Sequence, residues 1–417
     1  MNKQNTKIEL FTEKSKLTAG KQQTINLLVR INPPEVEQNE SKRPKLNLSI
    51  VLDRSGSMEG NKMRQAREAA KYCVENLLPT DRLSTVIFDD VVEILFPSQP
   101  VENKERLKKQ IDSIHSRNST ALHEAWVRGG LEVSNQLDSD AINRVLLITD
   151  GQANVGETNA DRIVSQSQQL AARGVSTSTV GIGDDFNEDL LMPMAEAGGG
   201  NAWHVEQTED MMRIFAVELE GLIAQVGHSV TVGIKPKSGA TVADILNDFE
   251  RDEAGRYKLP NLQAGAPLDV VIQLRVPANK TGGKITLADI DLTFTGQDSK
   301  LPEVVKSSFE IEFDSADAIE ALPENLEVAK AVQLLMNARA RREAIDKMDR
   351  QDFGGAQAAL RKVAMSTEIL FSRVASPDVR KEIDELAELE ESLKHRSNDK
   401  MGRKQMMYSA YKKRQGK

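Results

Sequence analysis

A chain of 417 residues with a formal net charge of −8 and a pI near 5.5 has ample material for about two or three packed units. That acidity excludes the bulk electrostatic footprint of a nucleic-acid binder, which rests on clustered Lys and Arg. Cys73 is the only cysteine, so no intrachain disulfide forms, and its place in the amphipathic run KMRQAREAAKYCVENLL predicts a buried, inert thiol.

The first residues, MNKQNTKIELFTEKSK, lack the apolar stretch of a signal peptide, and no later run approaches the roughly 18 apolar residues of a membrane span, which predicts a cytoplasmic protein with no membrane partner. Residues 6–12 and 22–31 (TKIELFT, QQTINLLVRI) have the alternation and β-branched content of strands, and a polar, Pro-containing stretch, NPPEVEQNESKRPK, follows them. Two strands alone bury no core, so they must join a sheet elsewhere.

From Leu46 the pattern changes to an apolar run ending in LSIVLD, a helix-period segment over 61–78 and a second apolar run, LSTVIF. Helices are expected near 102–113, 121–136, 159–173, 187–197 and 208–224, with strands RVLLIT and VSTSTVGI among them. Alternating apolar strands and helices imply a doubly wound, mostly parallel α/β sheet covered on both faces. Between 226 and 315 the helical period gives way to HSVTVGI, DVVIQLRV, DIDLTFTG and SSFEIEFD, an antiparallel sandwich that the N-terminal strands are expected to complete. After Asp317, helices are expected near 324–348, 353–372 and 377–394; within them ARREAIDKMDRQDFGGAQAALRKVA resembles one helix-turn-helix unit of tetratricopeptide type. The expected organisation is therefore sandwich strands in 1–43, an inserted α/β domain over 44–224, the rest of the sandwich over 225–316, a helical bundle over 317–395 and a basic tail over 396–417.

In an open parallel sheet, ligands bind beyond the carboxyl ends of the strands, which directs attention to two loops. In LNLSIVLDRSGSMEG, Asp53 ends a buried strand and Ser55 and Ser57 alternate behind it; in RVLLITDGQANVG, Asp150 holds the same position on another strand. Carboxylates gathered at one rim repel unless a cation intervenes, and oxygen-only ligation points to Mg²⁺, Mn²⁺ or Ca²⁺. Taken singly, Asp150-Gly151 also reads as a turn, and the two serines as helix caps.

The DRSGS run after an apolar strand resembles the DxSxS motif of the von Willebrand factor A family, over residues 44–224. That family's metal-ion-dependent adhesion site adds a middle-loop threonine and a second aspartate, which match Thr120 in RNSTALHEAW and Asp150 here. The resemblance implies that Asp53, Ser55, Ser57, Thr120 and Asp150 hold the ion, some through water, and that a Glu or Asp of a partner protein completes its coordination. Arg117-Asn118-Ser119 stand where the family commonly has glycines, a departure in the loop before Thr120. The chain also resembles stand-alone bacterial A-domain proteins labelled calcium-activated chloride channel-like, which implies a non-enzymatic, metal-dependent adaptor in a cytoplasmic complex, paired with a MoxR-type ATPase or with a kinase and phosphatase. The alternative is a Mg²⁺-dependent hydrolase or transferase acting on a phosphate-containing substrate.

Other chemistries lack their residues. The five histidines, at 115, 123, 204, 228 and 395, form no metal-spaced pair, and His123-Glu124 fails HExxH because Val127 follows. His123 lies three residues past Thr120, where it either supports that site or packs on the surface. Gly198-Gly199-Gly200 follows a helix and suits a C-cap and turn, not a nucleotide loop. In the final stretch, KHRSNDKMGRKQMMYSAYKKRQGK, Met406, Met407, Tyr408 and Tyr411 interleave with basic residues, as in a loose terminus, a docking peptide or a nucleic-acid tether.

Overall fold

The structure is a computed structural model that describes residues 5–35, 43–117, 120–151, 155–296, 299, 301–394 and 400–416. Most of the polar linker, Asn118 and Ser119 ahead of Thr120, residues 152–154, and His395 with the start of the basic segment lie outside the described residues. The chain divides into two units, residues 1–37 with 225–417 and residues 38–224.

In chain order, β1 (Lys7–Thr12), β2 (Lys16–Thr18) and β3 (Gln23–Asn32) come first. The α/β unit then runs β4 (Lys45–Asp53), α1 (Asn61–Asn76), β5 (Arg82–Phe88), β6 (Val92–Pro100), α2 (Lys104–Asp112), α3 (Leu122–Ser134), β7 (Ala141–Thr149), α4 (Ala160–Ala172), β8 (Ser176–Ile182), α5 (Glu188–Ala197), β9 (Gly199–Val205) and α6 (Met211–Ile223). Its sheet has the order β6-β5-β4-β7-β8-β9, parallel throughout except for the antiparallel pair β5–β6.

The central strand β4 shows why its sequence is apolar nearly throughout. Leu46, Leu48, Ile50 and Leu52 pack with Met63, Ala66 and Ala70 of α1 and Phe215 and Leu219 of α6. The alternate residue Val51 meets the other layer, where Val145 and Leu147 of β7 contact Ala125 and Trp126 of α3. A strand buried on both faces loses the alternation that marks a half-exposed one. The edge strands β6 and β9 escaped the sequence reading because prolines, glycines and polar residues break their apolar runs. Gly198 does cap α5, but Gly199 and Gly200 begin β9, which corrects the expected turn; a Cβ on Gly200 would lie 2.0 Å from the Thr177 carbonyl oxygen.

The remaining strands are β10 (Gln225–Pro236), β11 (Thr241–Ile245), β12 (Tyr257–Lys258), β13 (Leu262–Gln263), β14 (Leu268–Val276), β15 (Gly282–Gly296) and β16 (Pro302–Asp314). One sheet has the order β1-β3-β14-β11; the other has β12-β10-β15-β16-β2, with β13 on β10. The N-terminal strands therefore do pair with the later β region, β3 lying antiparallel to β14 with Leu28 opposite Val271. Helices α7 (Ala316–Glu320), α8 (Leu326–Asp349), α9 (Phe353–Arg373), α10 (Pro377–Lys394) and α11 (Lys400–Arg414) end the chain. Val328 and Leu335 of α8 cover Leu28 and Val271 on the outer face of the first sheet, so the helical region packs on the sandwich as part of the same unit.

The basic terminus is corrected most. It was expected to be a loose tail or a docking peptide, but α11 folds into the helical bundle: Met406 and Tyr411 are buried, and Met406 packs with Leu360, Leu386 and Leu393. Arg403 pairs with Asp349 and Lys413 with Glu382, so part of the basic character answers carboxylates of the same bundle. Among the described residues no helix is long and apolar enough to cross a membrane.

Two outcomes follow from this packing. A Cβ on Gly129 of α3 would lie 2.3 Å from Val51 Cγ2, so Gly129→Ala should overpack the α3–β4 contact, cost about 1–3 kcal/mol and lower the unfolding midpoint in urea; an unshifted midpoint would contradict that contact. In the bundle, Glu382 meets the buried Arg341 guanidinium and, at 3.3 Å, Lys413; burial pushes its carboxyl up, but the two cations outweigh that and hold it below the usual glutamate range. A depressed carboxylate contributes stability that is full above the ordinary glutamate pKa of about 4.3 and is lost as pH falls through its folded value. Glu382→Gln should therefore destabilise the bundle by about 3–5 kcal/mol at pH 7, with the gap to wild type closing toward pH 3 when followed by ellipticity at 222 nm. A gap independent of pH would mean that charge is not its cause.

Candidate functional site

Asp53 is the last residue of β4, and Asp150 directly follows Thr149, the last residue of the neighbouring strand β7. The connections leaving these strands lead to opposite faces of the sheet, α1 to one and α4 to the other, and this opens a crevice at their carboxyl ends. Both aspartates are fully buried, Ser55 and Thr120 nearly so, and Ser57 is exposed.

The side chains form a continuous polar chain. Ser55 N donates to Asp53 Oδ1 at 2.8 Å, Ser55 Oγ lies 3.1 Å from Ser57 Oγ, and Ser57 Oγ donates to Asp150 Oδ1 at 2.7 Å. Thr120 reaches the same place from the segment before α3: a Cβ on Gly151 would lie 3.5 Å from Thr120 Oγ1 and 3.8 Å from Asp53 Oδ2. The structure thus brings together all five residues singled out from the sequence, with Gly151 beside Thr120 and Asp53. Burial pushes the Asp53 carboxyl up to about 6, against hydrogen bonds from Thr149 and Ser55, with Asp150 adding repulsion. A cluster of this kind stores a cost that a cation relieves. Among the described residues no three of His, Cys, Asp and Glu gather elsewhere as a metal cluster, so this cradle of two carboxylates relies on hydroxyl oxygens.

Four supporting residues were missed in the sequence. Thr149 Oγ1 donates to Asp53 Oδ2 at 2.5 Å and accepts from Gly151 N at 3.1 Å, tying the two loops together. Asp89 follows β5 as Asp53 follows the body of β4, and that shared position was the available signal. Its carboxylate pairs with Arg54 at 3.1 Å and Arg117 at 3.0 Å, while Glu93 takes the other ends of both guanidiniums. Burial alone would raise Asp89; the Val91 N–H and the two guanidiniums hold it below the usual range. The backbone completes this brace, with Arg117 N donating to Arg54 O and Ala121 N to Asp89 O, each at 2.7 Å, so the segment around Thr120 is pinned on both sides without glycines. Lys62, in the first turn of α1, places Nζ 2.5 Å from Asp150 Oδ2.

His123 goes elsewhere: its Nε2 lies 2.6 Å from Gln166 Oε1 on α4, and its ring lies beside Trp126. Cys73 is buried as expected, and burial pushes its thiol up to about 12, which keeps it protonated and inert.

Comparison with known proteins agrees with this geometry. The family model described as von Willebrand factor type A domain matches residues 47–216. The protein sll0103 of Synechocystis is 28% identical over 187 residues, 45% of this chain and 44% of that one. YfbK of Escherichia coli is 26% identical over 210 residues, 50% of this chain and 36% of that protein. Inter-alpha-trypsin inhibitor heavy chain H3 of Bos taurus is 25% identical over 307 residues, 71% of this chain and 33% of its own length. The chain thus spans less than half the length of these curated relatives. Among solved structures, a von Willebrand factor type A protein from Catenulispora acidiphila superposes with a TM-score of 0.69 at 18% identity, covering 92% of this chain and 90% of that one. The ArnB paralog VWA2 from Sulfolobus acidocaldarius gives 0.61 at 16% identity, covering 98% of both. These likenesses show a shared fold.

Replacing Thr149 by the near-isosteric Val removes the donor to Asp53 and the acceptor for Gly151 together. Thr149→Val should lower the stability of the α/β unit by about 1–3 kcal/mol in urea unfolding, because the buried Asp53 Oδ2 loses its donor. A change under about 0.5 kcal/mol would mean that this bridge does not hold the loops.

Proposed function

Because residues 47–216 form a von Willebrand factor type A domain, a type that is commonly a metal-dependent interaction module, we propose that this chain is a non-enzymatic adaptor that grips a partner protein through a divalent cation. Asp53, Ser55, Ser57, Thr120 and Asp150 would hold the ion, with Mg²⁺ as the first choice and Mn²⁺ or Ca²⁺ as substitutes. Their all-oxygen donor set suits a hard cation. The bound ion would supply a Lewis-acidic position for a Glu or Asp carboxylate of the partner.

The observation that carries this reading is the polar chain running from Asp53 through Ser55 and Ser57 to Asp150, closed by Thr120 across Gly151. Two fully buried carboxylates lie at the ends of adjacent strands, and the hydroxyls and the amide around them hold their positions through hydrogen bonds. Arg54 and Arg117 are charge-paired with Asp89 and Glu93, so they brace the loops and leave the site charge to the aspartates and Lys62. We assign the chain to a cytoplasmic assembly, with a MoxR-type ATPase or a kinase and phosphatase pair as the partner system.

Mn²⁺ titration followed by the electron paramagnetic resonance of the free ion tests the site. Wild type should bind one equivalent, and Asp53→Ala should bind at least about 100-fold more weakly with an unchanged circular dichroism spectrum. In a pull-down from native extract, the partner should be recovered with Mg²⁺ and lost with EDTA and with Asp53→Ala. A partner retained in all three conditions would overturn the reading.

A further inference from the structure

Lys62 is the second residue of α1, a helix whose first turn carries no acidic residue and whose N-cap, Gly60, offers no side-chain cap. A cation there opposes the helix dipole, so helix stability does not account for it. Its ammonium lies against Asp150 Oδ2 at 2.5 Å; the Asp150 side chain is 0% exposed and that of Lys62 29%. The end of its stem runs past Gly183, where a Cβ would lie 3.8 Å from both Cε and Nζ. The lysine is thus directed into the crevice that holds the five candidate ligands.

The local charges then sum in an informative way. Arg54 and Arg117 are matched by Asp89 and Glu93, which leaves Asp53, Asp150 and Lys62. Two carboxylates and one ammonium carry a net charge of −1, so a divalent cation would bring the site to +1 and leave it one negative charge short. Without the ammonium, the same cation would reach neutrality with the protein alone. We propose that Lys62 makes cation binding at this site conditional on an acidic ligand, so that ion and ligand carboxylate bind together and the ion alone binds weakly. The inference rests on the metal-site reading above. The lysine acts by its charge, which its pairing with Asp150 holds at the site. Coupling of this kind is reciprocal, so the ion strengthens ligand binding by the factor with which the ligand strengthens ion binding.

The test measures Mn²⁺ affinity by electron paramagnetic resonance for wild type, Lys62→Met and Lys62→Arg, each with and without millimolar acetate as the carboxylate probe. Lys62→Met should bind Mn²⁺ about tenfold tighter than wild type, since a like charge has been removed beside the ion. Acetate should tighten Mn²⁺ binding several-fold in wild type and little in Lys62→Met, while Lys62→Arg should behave as wild type. Equal or weaker Mn²⁺ binding by Lys62→Met would overturn the proposal and make the lysine a strut for Asp150. Tightening by Lys62→Arg as strong as by Lys62→Met would overturn it too, since the charge would then be irrelevant. No Mn²⁺ binding by any of the three proteins would overturn the metal-site reading itself, and the proposal with it.

Discussion

Two carboxylates, Asp53 and Asp150, are buried side by side at the ends of adjacent parallel strands, and much of the α/β unit is arranged around that fact. Parallel pairing of β4 with β7, with Leu52 opposite Ile148, brings both strand ends to the same level. Burying a carboxylate is unfavourable, and that burial pushes Asp53 up to about 6, with the neighbouring Asp150 charge adding a smaller part. The surrounding structure offsets part of that cost with directed hydrogen bonds: Ser55 N and Thr149 Oγ1 on Asp53, Ser57 Oγ and the Lys62 ammonium on Asp150. A neutral polar cluster of the same shape would still need the hydrogen bonds, but not the ammonium.

The loops that carry the hydroxyls are held by a second charged group that balances itself. Asp89 and Glu93 face Arg54 and Arg117, and the backbone bonds of Arg117 and Ala121 fix the segment on either side of Thr120. This resolves the departure from the family pattern seen before Thr120. Where the family commonly has glycines, this chain places Arg117, which pairs with the same Asp89 and Glu93 that take Arg54.

A different constraint shapes the other unit. The sheet β1-β3-β14-β11 is apolar on both faces, with Leu27, Val29 and Ile31 facing the sandwich core and Leu28 facing α8. A sheet with two apolar faces needs two covers, and α8 supplies the second, which is why the helical region belongs to this unit. Once α8 is docked, α9, α10 and α11 complete its exposed side, and Met406 finds its place there. The basic terminus is thereby drawn into the core by the same apolar residues that suggested a docking peptide.

By itself the sequence determined the two fold classes, the strand-end aspartates and the positions of α8, α9 and α10, because these rest on local signals: apolar runs, helical period and residue spacing. DRSGS after LSIVL and a second aspartate after RVLLIT select four of the side chains that meet at the strand ends, and the family resemblance adds the fifth, Thr120. Tertiary structure alone decided the edge strands β6 and β9, whose pattern is blurred by exposure and proline or glycine. It also decided the burial of α11, whose apolar face reads the same whether its groove lies in this chain or another. The partners of Lys62, Asp89 and Thr149 were decided there too. Each depends on which strand end lies next to which, and a side chain's partner across 88 residues, as for Lys62 and Asp150, exists only once the sheet has brought β4 and β7 together.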